Sequence, residues 1–339
     1  MFPAWPTVEP PDAVRYDSGM LKHRVLFGTL LYFALAVVLY LDNQLDHANI
    51  EGTIWQTVFF QRKSPPAGLL MFAVFLVLIA LSASELCDIF RAKGIKAERF
   101  MVVVSAMAGC AAMYLVPLYH NQPLAMATIA TLLVGVFLAA LFSYSFRHQR
   151  VEGAVAAAAV TLLALVYVGL TPGFYVSLRL THSTWVIAGI IVITKFGDCG
   201  AYFTGRLIGR HKLIPWLSPN KTWEGLGGAV VVAMLTAVLV AWGLNEAERA
   251  GPWQVDGDTH TPCGVRFQYP LMAAVVAGAV LGLVGHVGDL VASLLKRDAG
   301  VKDFGNIVPG FGGLIDLFDS PIVVAPVAYW MLHLAARAG

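Results

Sequence analysis

The sequence predicts an all-α, polytopic integral membrane protein with about nine transmembrane helices and a cytoplasmic N-terminus. Three observations predict it. Of its 339 residues, 58% are hydrophobic and only 13% are charged, whereas a soluble domain is about 25% charged. The apolar residues come in long blocks, and a helix needs about 20 of them to cross a bilayer core. The 23 Lys and Arg residues alternate between the segments joining these blocks, 17 on one side and six on the other. The richer side faces the cytoplasm by the positive-inside rule. Backbone polar groups in lipid must satisfy one another, so blocks of this length mean helices.

Residues 1–24 read as a polar cytoplasmic tail with Pro3, Pro6, Pro10 and Pro11. The tail lacks the apolar core of a signal peptide. The first block, 25–41, ends in LDNQLD with no small-residue cleavage site and is expected to stay as an anchor. Blocks 67–84, 100–118, 124–142 and 154–173 follow, so 25–173 reads as an N-terminal membrane region of about five spans. The region 174–339 holds blocks 184–194, 224–242, 269–288 and 321–336, with charged cytoplasmic segments at 195–224 and 289–320. Block 184–194 is short enough to be re-entrant or half-buried, and block 321–336 is short and carries Pro321 and Pro326. Segment 243–268 contains Glu246, Glu248, Asp256, Asp258 and His260 and reads as a solvated acidic outer loop.

Several function classes are excluded. A net charge of +2 and the absence of nucleic-acid-binding patterns leave no nucleic-acid partner. Cys87, Cys110, Cys199 and Cys263 form no C-x-x-C pair, so they are expected to be small buried hydrophobes rather than disulfide or zinc ligands. No repeat of fixed period marks a solenoid or an inverted-repeat transporter.

The stretch 286–320, HVGDLVASLLKRDAGVKDFGNIVPGFGGLIDLFDS, concentrates five Asp, two Lys, one Arg and six Gly. Charges near lipid are costly and mark functional sites. His286, Asp289, Ser293 and Lys296 recur at helical spacing and share one face. Asp316 and Asp319 also lie three apart. On a helix such a pair repels unless a cation or a shared proton sits between them, and hard oxygen ligands suit Mg²⁺. The macrodipole of a helix starting near Ser320-Pro321 is the competing reading of these acids. Between the two groups, Gly300, Gly305, Gly310, Gly312, Gly313 and Pro309 predict a loop able to present backbone donors to phosphates. It is not a Walker A loop.

The second charged segment runs KFGDCGAYFTGRLIGRHKLIPWLSPNKTWEG. Asp198 directly follows an apolar block. Ser218-Pro219-Asn220-Lys221-Thr222 reads as a polar turn before the next helix, where Lys221 and Thr222 are placed to grip a phosphate.

Both segments resemble the phosphatidate cytidylyltransferase (CDP-diacylglycerol synthase) family. SLLKR, KDFG and PG-x-GGLID-x-FDS, spread over residues 293–320, are similar to that family's identifying motif. GD-x-GAY-x-x-GR and SPNKTWEG resemble a second family stretch. Two positions depart: Phe311 stands where the family usually has His, and Leu317 where it usually has Arg.

The resemblance implies that the phosphate of phosphatidate attacks the α-phosphorus of CTP, giving CDP-diacylglycerol and pyrophosphate. It implies one or two Mg²⁺ ions on Asp289, Asp316 and Asp319, with Asp198 as a further ligand. Lys296, Arg297, Lys302 and Lys221 would hold phosphates, Ser218 and Thr222 would assist through their hydroxyls, and Arg206 and Asp303 would lie beside the substrate. It further implies a homodimer in the bacterial cytoplasmic membrane. Two other readings stand beside it: a CTP-dependent enzyme acting on an isoprenoid or other lipid phosphate, and a membrane transporter.

Overall fold

The computed structural model describes residues 18–46, 48–49, 51, 64–119, 122–250, 270–308 and 312–338. The chain begins with helices α1 (Ser18–Asp46), α2 (Leu69–Ala92), α3 (Arg99–Tyr119) and α4 (Gln122–His148). Helix α5 (Ala154–Leu163) continues through a π-helical stretch (Ala164–Leu170) into α6 (Thr171–Arg179), making one span of 26 residues. Helix α7 (Thr184–Ile208) leads to the antiparallel strands β1 (Lys212–Ile214) and β2 (Ser218–Thr222). Helices α8 (Trp223–Ala250), α9 (Leu271–Asp298) and α10 (Leu314–Ala338) complete the chain.

Among the described residues, eight helices are long and apolar enough to cross a membrane, where nine spans were expected. The remaining block, 25–41, lies within the 29-residue α1. Both short blocks belong to longer helices. Block 184–194 opens α7 and block 321–336 lies inside α10, each helix having 25 residues. Hydropathy ends these blocks early because Lys195, Asp198, Asp316 and Asp319 interrupt them. The helices run on because those charges find partners within the protein. The expected turn at Ser218–Thr222 is instead a strand, with Lys212 opposite Thr222 and Ile214 opposite Ser218. Cys87 and Cys110 are buried as expected, but Cys199 is exposed. Of the expected tail 1–24, residues 18–24 are helical in α1, and of the expected outer loop 243–268, residues 243–250 are helical in α8; residues 1–17, 251–268 (with Asp256, Asp258, His260 and Cys263), Pro309, Gly310 and Phe311 lie outside the described residues.

Two apolar cores hold the bundle. One gathers Leu86, Tyr114, Val160, Tyr167 and Val168 with Ile315 of α10. The other gathers Ile187 and Ile190 of α7, Ala233 and Ala237 of α8, and Val324 and Ala328 of α10. Lipid offers no hydrophobic drive between helices, so close packing of small residues takes its place. Ala229, Ala233 and Ala237 line the buried face of α8, and Gly278, Gly282 and Gly285 that of α9. Gly288 sets the distance between α9 and α10, since a Cβ there would lie 2.8 Å from the carbonyl oxygen of Asp319. Any larger residue would push the two helices apart beside two of the predicted site carboxylates.

A buried ion cluster ties the first helix to the rest. Arg179, at the end of α6, donates through Nε to Asp42 Oδ2 at 2.8 Å and through Nη2 to Asp46. The other Asp42 oxygen accepts the backbone N–H of Met71 at 2.9 Å. Asp42 is fully buried and Arg179 is 4% exposed. The LDNQLD motif that ends the first apolar block is therefore an anchor point for α2 and α6.

Candidate active site

Helices α7, α9 and α10 and strand β2 bring three lysines against four carboxylates. Lys221, the penultimate residue of β2, is carried by the hairpin to α9. There its Nζ lies 2.9 Å from Asp289 Oδ2 and 3.4 Å from the carbonyl oxygen of His286. Lys195 of α7 reaches Asp198 Oδ2 at 3.3 Å and Asp319 Oδ1 at 3.8 Å. Ser320 joins the last two acids: its hydroxyl donates to Asp198 Oδ1 at 3.2 Å and its N–H to Asp319 Oδ1 at 2.7 Å. The Lys221–Asp289 pair lies within electrostatic range of Asp198 and Asp319, so the two sets make one group drawn from four elements.

Asp316 stands apart from that group. One oxygen accepts from Lys296 Nζ at 2.7 Å, and the other accepts the N–H groups of Phe304 at 2.8 Å and Gly313 at 3.0 Å. Lys296 also lies over the Phe304 ring, 5.6 Å from its centroid. This pair clamps the glycine-rich loop between the end of α9 and the start of α10. The helix begins at Leu314, ahead of both acids, and not near Ser320. Asp316 and Asp319 share α10 without sharing a cation, because each faces a different lysine. The His286–Lys296 stripe divides in the same way, with Asp289 on Lys221 and Lys296 on Asp316.

The remaining predicted residues spread around this centre. Thr222 is buried, and its hydroxyl accepts the N–H of Gly225 at 3.1 Å, capping the first turn of α8. Ser218 opens β2 and is half-buried. Arg206 is exposed on α7 and donates to the Tyr202 hydroxyl at 2.7 Å. Arg297, Lys302 and Asp303 are exposed at the end of α9 and in the loop after it. Asp198, Asp289 and Asp319 lie inside their helices and not at the helix ends, and Asp198 and Asp289 keep about a third of their side-chain surface exposed. Asp198 precedes the end of α7 by ten residues, which is about 15 Å of helix rise.

Three functional candidates, Lys195, Glu85 and Tyr167, escaped the sequence, and a fourth, His286, was named there only as part of the α9 stripe. Lys195 bridges two of the acids. Glu85 of α2, 5% exposed, accepts the N–H groups of Leu314 at 2.9 and 2.8 Å and of Ile315 at 3.2 Å. It closes the N-terminus of α10, where the orphan donors and the macrodipole favour an anion. A Glu at the end of an apolar block was signal enough to flag it. Tyr167 and His286 are both 6% exposed, and the Tyr167 hydroxyl and His286 Nε2 have no protein hydrogen-bond partner among the described residues. A cavity of about 570 Å³ lies elsewhere, lined by Arg91, Lys96, Glu98, Arg99, Arg147 and His148. It contains none of these acids, and its Arg99 and Arg147 are already paired with Asp88 and Glu98.

The donor set bears on the expected Mg²⁺. Asp198, Asp289 and Asp319 offer the hard oxygens that Mg²⁺ prefers. Each now faces an ammonium, so this place already holds positive charge. Among the described residues, no three His, Cys, Asp or Glu side chains converge closely enough to hold a metal as they stand. Asp316 does not fit, since a lysine and two N–H groups occupy its oxygens.

Comparison with known proteins places this geometry in context. The profile of the cytidylyltransferase family matches residues 51–335. A phosphatidate cytidylyltransferase of Bacillus subtilis is 35% identical over 175 residues, covering 51% of this chain and 57% of that protein. An uncharacterized protein of Escherichia coli is 35% identical over 144 residues, covering 42% of this chain and 41% of its own length. The chain thus spans about half the length of these two relatives. A phosphatidate cytidylyltransferase of a Synechocystis species is 30% identical over 294 residues, which covers 77% of this chain and 88% of that protein.

Proposed function

This chain belongs to the cytidylyltransferase family, and from that premise we propose that it condenses CTP with phosphatidate to CDP-diacylglycerol and pyrophosphate. The observation that carries the reading is the group in which Asp198, Asp289 and Asp319 are held against Lys195 and Lys221. Both substrates are anionic, so the main tasks are charge neutralisation and in-line positioning. An oxygen of the lipid phosphate attacks the α-phosphorus of CTP, and the bond from that phosphorus to the β-bridging oxygen breaks. The displaced oxygen leaves on pyrophosphate. No general base is required, because phosphatidate is ionised near pH 7.

Asp198, Asp289 and Asp319 are the residues that would hold Mg²⁺, which would supply positive charge to the attacking and leaving oxygens. Lys195 and Lys221 supply positive charge to substrate phosphates. Lys296 and Asp316 act by holding the loop that frames the site. Arg297 and Lys302, exposed beside it, meet the nucleotide as it arrives from water. This end of the bundle faces the cytoplasm of a bacterial inner membrane, and the working unit is a homodimer.

Leu317 favours a second reading. It lies between Asp316 and Phe318 on α10, where the related family usually has Arg. An apolar residue there suits a CTP-dependent enzyme with a different lipid phosphate, such as an isoprenyl phosphate. The experiment is turnover by purified protein with cytidine-labelled CTP, offered phosphatidate and isoprenyl phosphate separately. We expect label in the phosphatidate product with equal release of pyrophosphate, sustained by Mg²⁺ and lost with EDTA. Label only on the isoprenyl product would select the second reading. No labelled lipid from either would sink both.

A further inference from the structure

Tyr167 belongs to the π-helical stretch Ala164–Leu170, in the half of the chain that reads from sequence as plain membrane anchor. π-helical widenings inside α-helices are frequent at functional sites. Packing holds this one in place. Helix α3 lies directly on it, and a Cβ at Gly169 would fall 2.3 Å from the carbonyl oxygen of Ala106. The hydroxyl of Thr171 bonds back to the Tyr167 carbonyl oxygen.

The Tyr167 ring is part of the core that includes Ile315 and Ile322 of α10. Its hydroxyl lies within electrostatic range of Asp319, Asp289 and Asp316. None of them is close enough to accept a hydrogen bond from it. Leaving a buried hydroxyl unpaired costs about 1–3 kcal/mol. Phe would fill the same space without that cost, so packing alone does not account for a tyrosine here.

We propose that Tyr167 is a substrate-contacting residue, whose hydroxyl donates a hydrogen bond to a phosphate oxygen brought to the Asp289–Asp319 group. This inference rests on the cytidylyltransferase reading of that group. The phosphate belongs either to the nucleotide or to the lipid; the chemistry of recognition, an O–H donor to a phosphate oxyanion, is the same. It gives the N-terminal half a direct part in the site.

The test is Tyr167→Phe in the full-length protein, with CTP and phosphatidate varied separately and thermal unfolding followed in the same detergent. A lost hydrogen bond to a charged oxygen corresponds to about a ten- to hundredfold fall in kcat/KM. We expect that fall with Tm unchanged or raised, because removing an unpaired hydroxyl does not weaken packing. A rise in KM for CTP alone assigns the contact to the nucleotide phosphates. A rise for phosphatidate alone assigns it to the lipid phosphate, and a fall in kcat alone assigns it to the reacting group. Activity within about twofold of the unmodified protein for both substrates overturns the inference, as does a drop in Tm that accounts for the lost activity. If the unmodified protein transfers no cytidylyl group, the reading of the site fails and the inference falls with it. If that protein is active and Tyr167→Phe matches it, only the inference fails.

Discussion

Asp316 and Asp319 lie three residues apart on one helix, yet their surroundings give them different work. Asp316 has both oxygens occupied by Lys296 and two loop N–H groups. Asp319 shares Lys195 with Asp198 and sits beside the α9–α10 contact at Gly288. Removing one partner of a buried ion pair strands the other, at a cost of about 3–5 kcal/mol. We therefore expect Asp316→Asn to lower stability by about 3 kcal/mol, at the low end of that range because Lys296 is 14% exposed. Asp319→Asn should abolish turnover with far less loss of stability. Thermal unfolding and turnover measured on both variants would check this, and equal stability losses would remove the distinction. At this scale the sequence singled out Asp198, Asp289, Asp316 and Asp319, which the structure places against lysines, because a carboxylate in an apolar chain is conspicuous wherever it falls. Their partners were not legible. Asp316 finds Lys296 across 20 residues of chain, and Asp198 finds Ser320 across 122 residues.

Among the elements, the helices were legible and their ends were not. Long apolar blocks specify spans because every backbone group in lipid must be satisfied within the helix. The apolar pattern of a block ends at its first charge, but the helix continues if that charge is paired. This is why α7 and α10 outrun blocks 184–194 and 321–336. The start of α10 is set by Glu85, 229 residues earlier in the chain, whose carboxylate takes the N–H groups of Leu314 and Ile315. Glu85→Gln retains an acceptor oxygen but loses the charge that opposes the helix dipole, worth about 1–2 kcal/mol in a buried setting. We expect faster amide hydrogen exchange over residues 312–318 and a loss of turnover of about tenfold, since Asp316 and Asp319 are placed by that turn. Unchanged exchange in this segment would show that Glu85 does not set it. The hairpin offers a similar lesson. Its strands are three and five residues long, too short for a periodic pattern, and Lys221 reaches Asp289 only because those strands pair.

For the whole molecule, the Asp42–Arg179–Asp46 cluster joins α1 to α6 and, through the Met71 N–H, to α2. It lies at the end of α6 and the start of α7, away from the turns that carry the acids and lysines of the site. Its role is therefore assembly rather than chemistry. Arg179→Met leaves two acids facing each other without their cation, and we expect about 3–5 kcal/mol lower stability. Lysine should not restore it, since it lacks the planar fork that reaches both carboxylates. Unfolding in detergent would measure this, and a stability loss under about 1 kcal/mol would dismiss the cluster as an anchor. The membrane class, the helical fold, the identity of the polar residues and the resemblance to a cytidylyltransferase were all determined by the sequence alone. Each depends on local hydropathy or on short strings of fixed residues. The tertiary structure alone decided which lysine neutralises which acid, which carboxylate caps α10 and that the Tyr167 hydroxyl lies within electrostatic range of Asp289, Asp316 and Asp319. Those outcomes depend on contacts between residues far apart in the chain, where close helix packing, and not local pattern, chooses the partner.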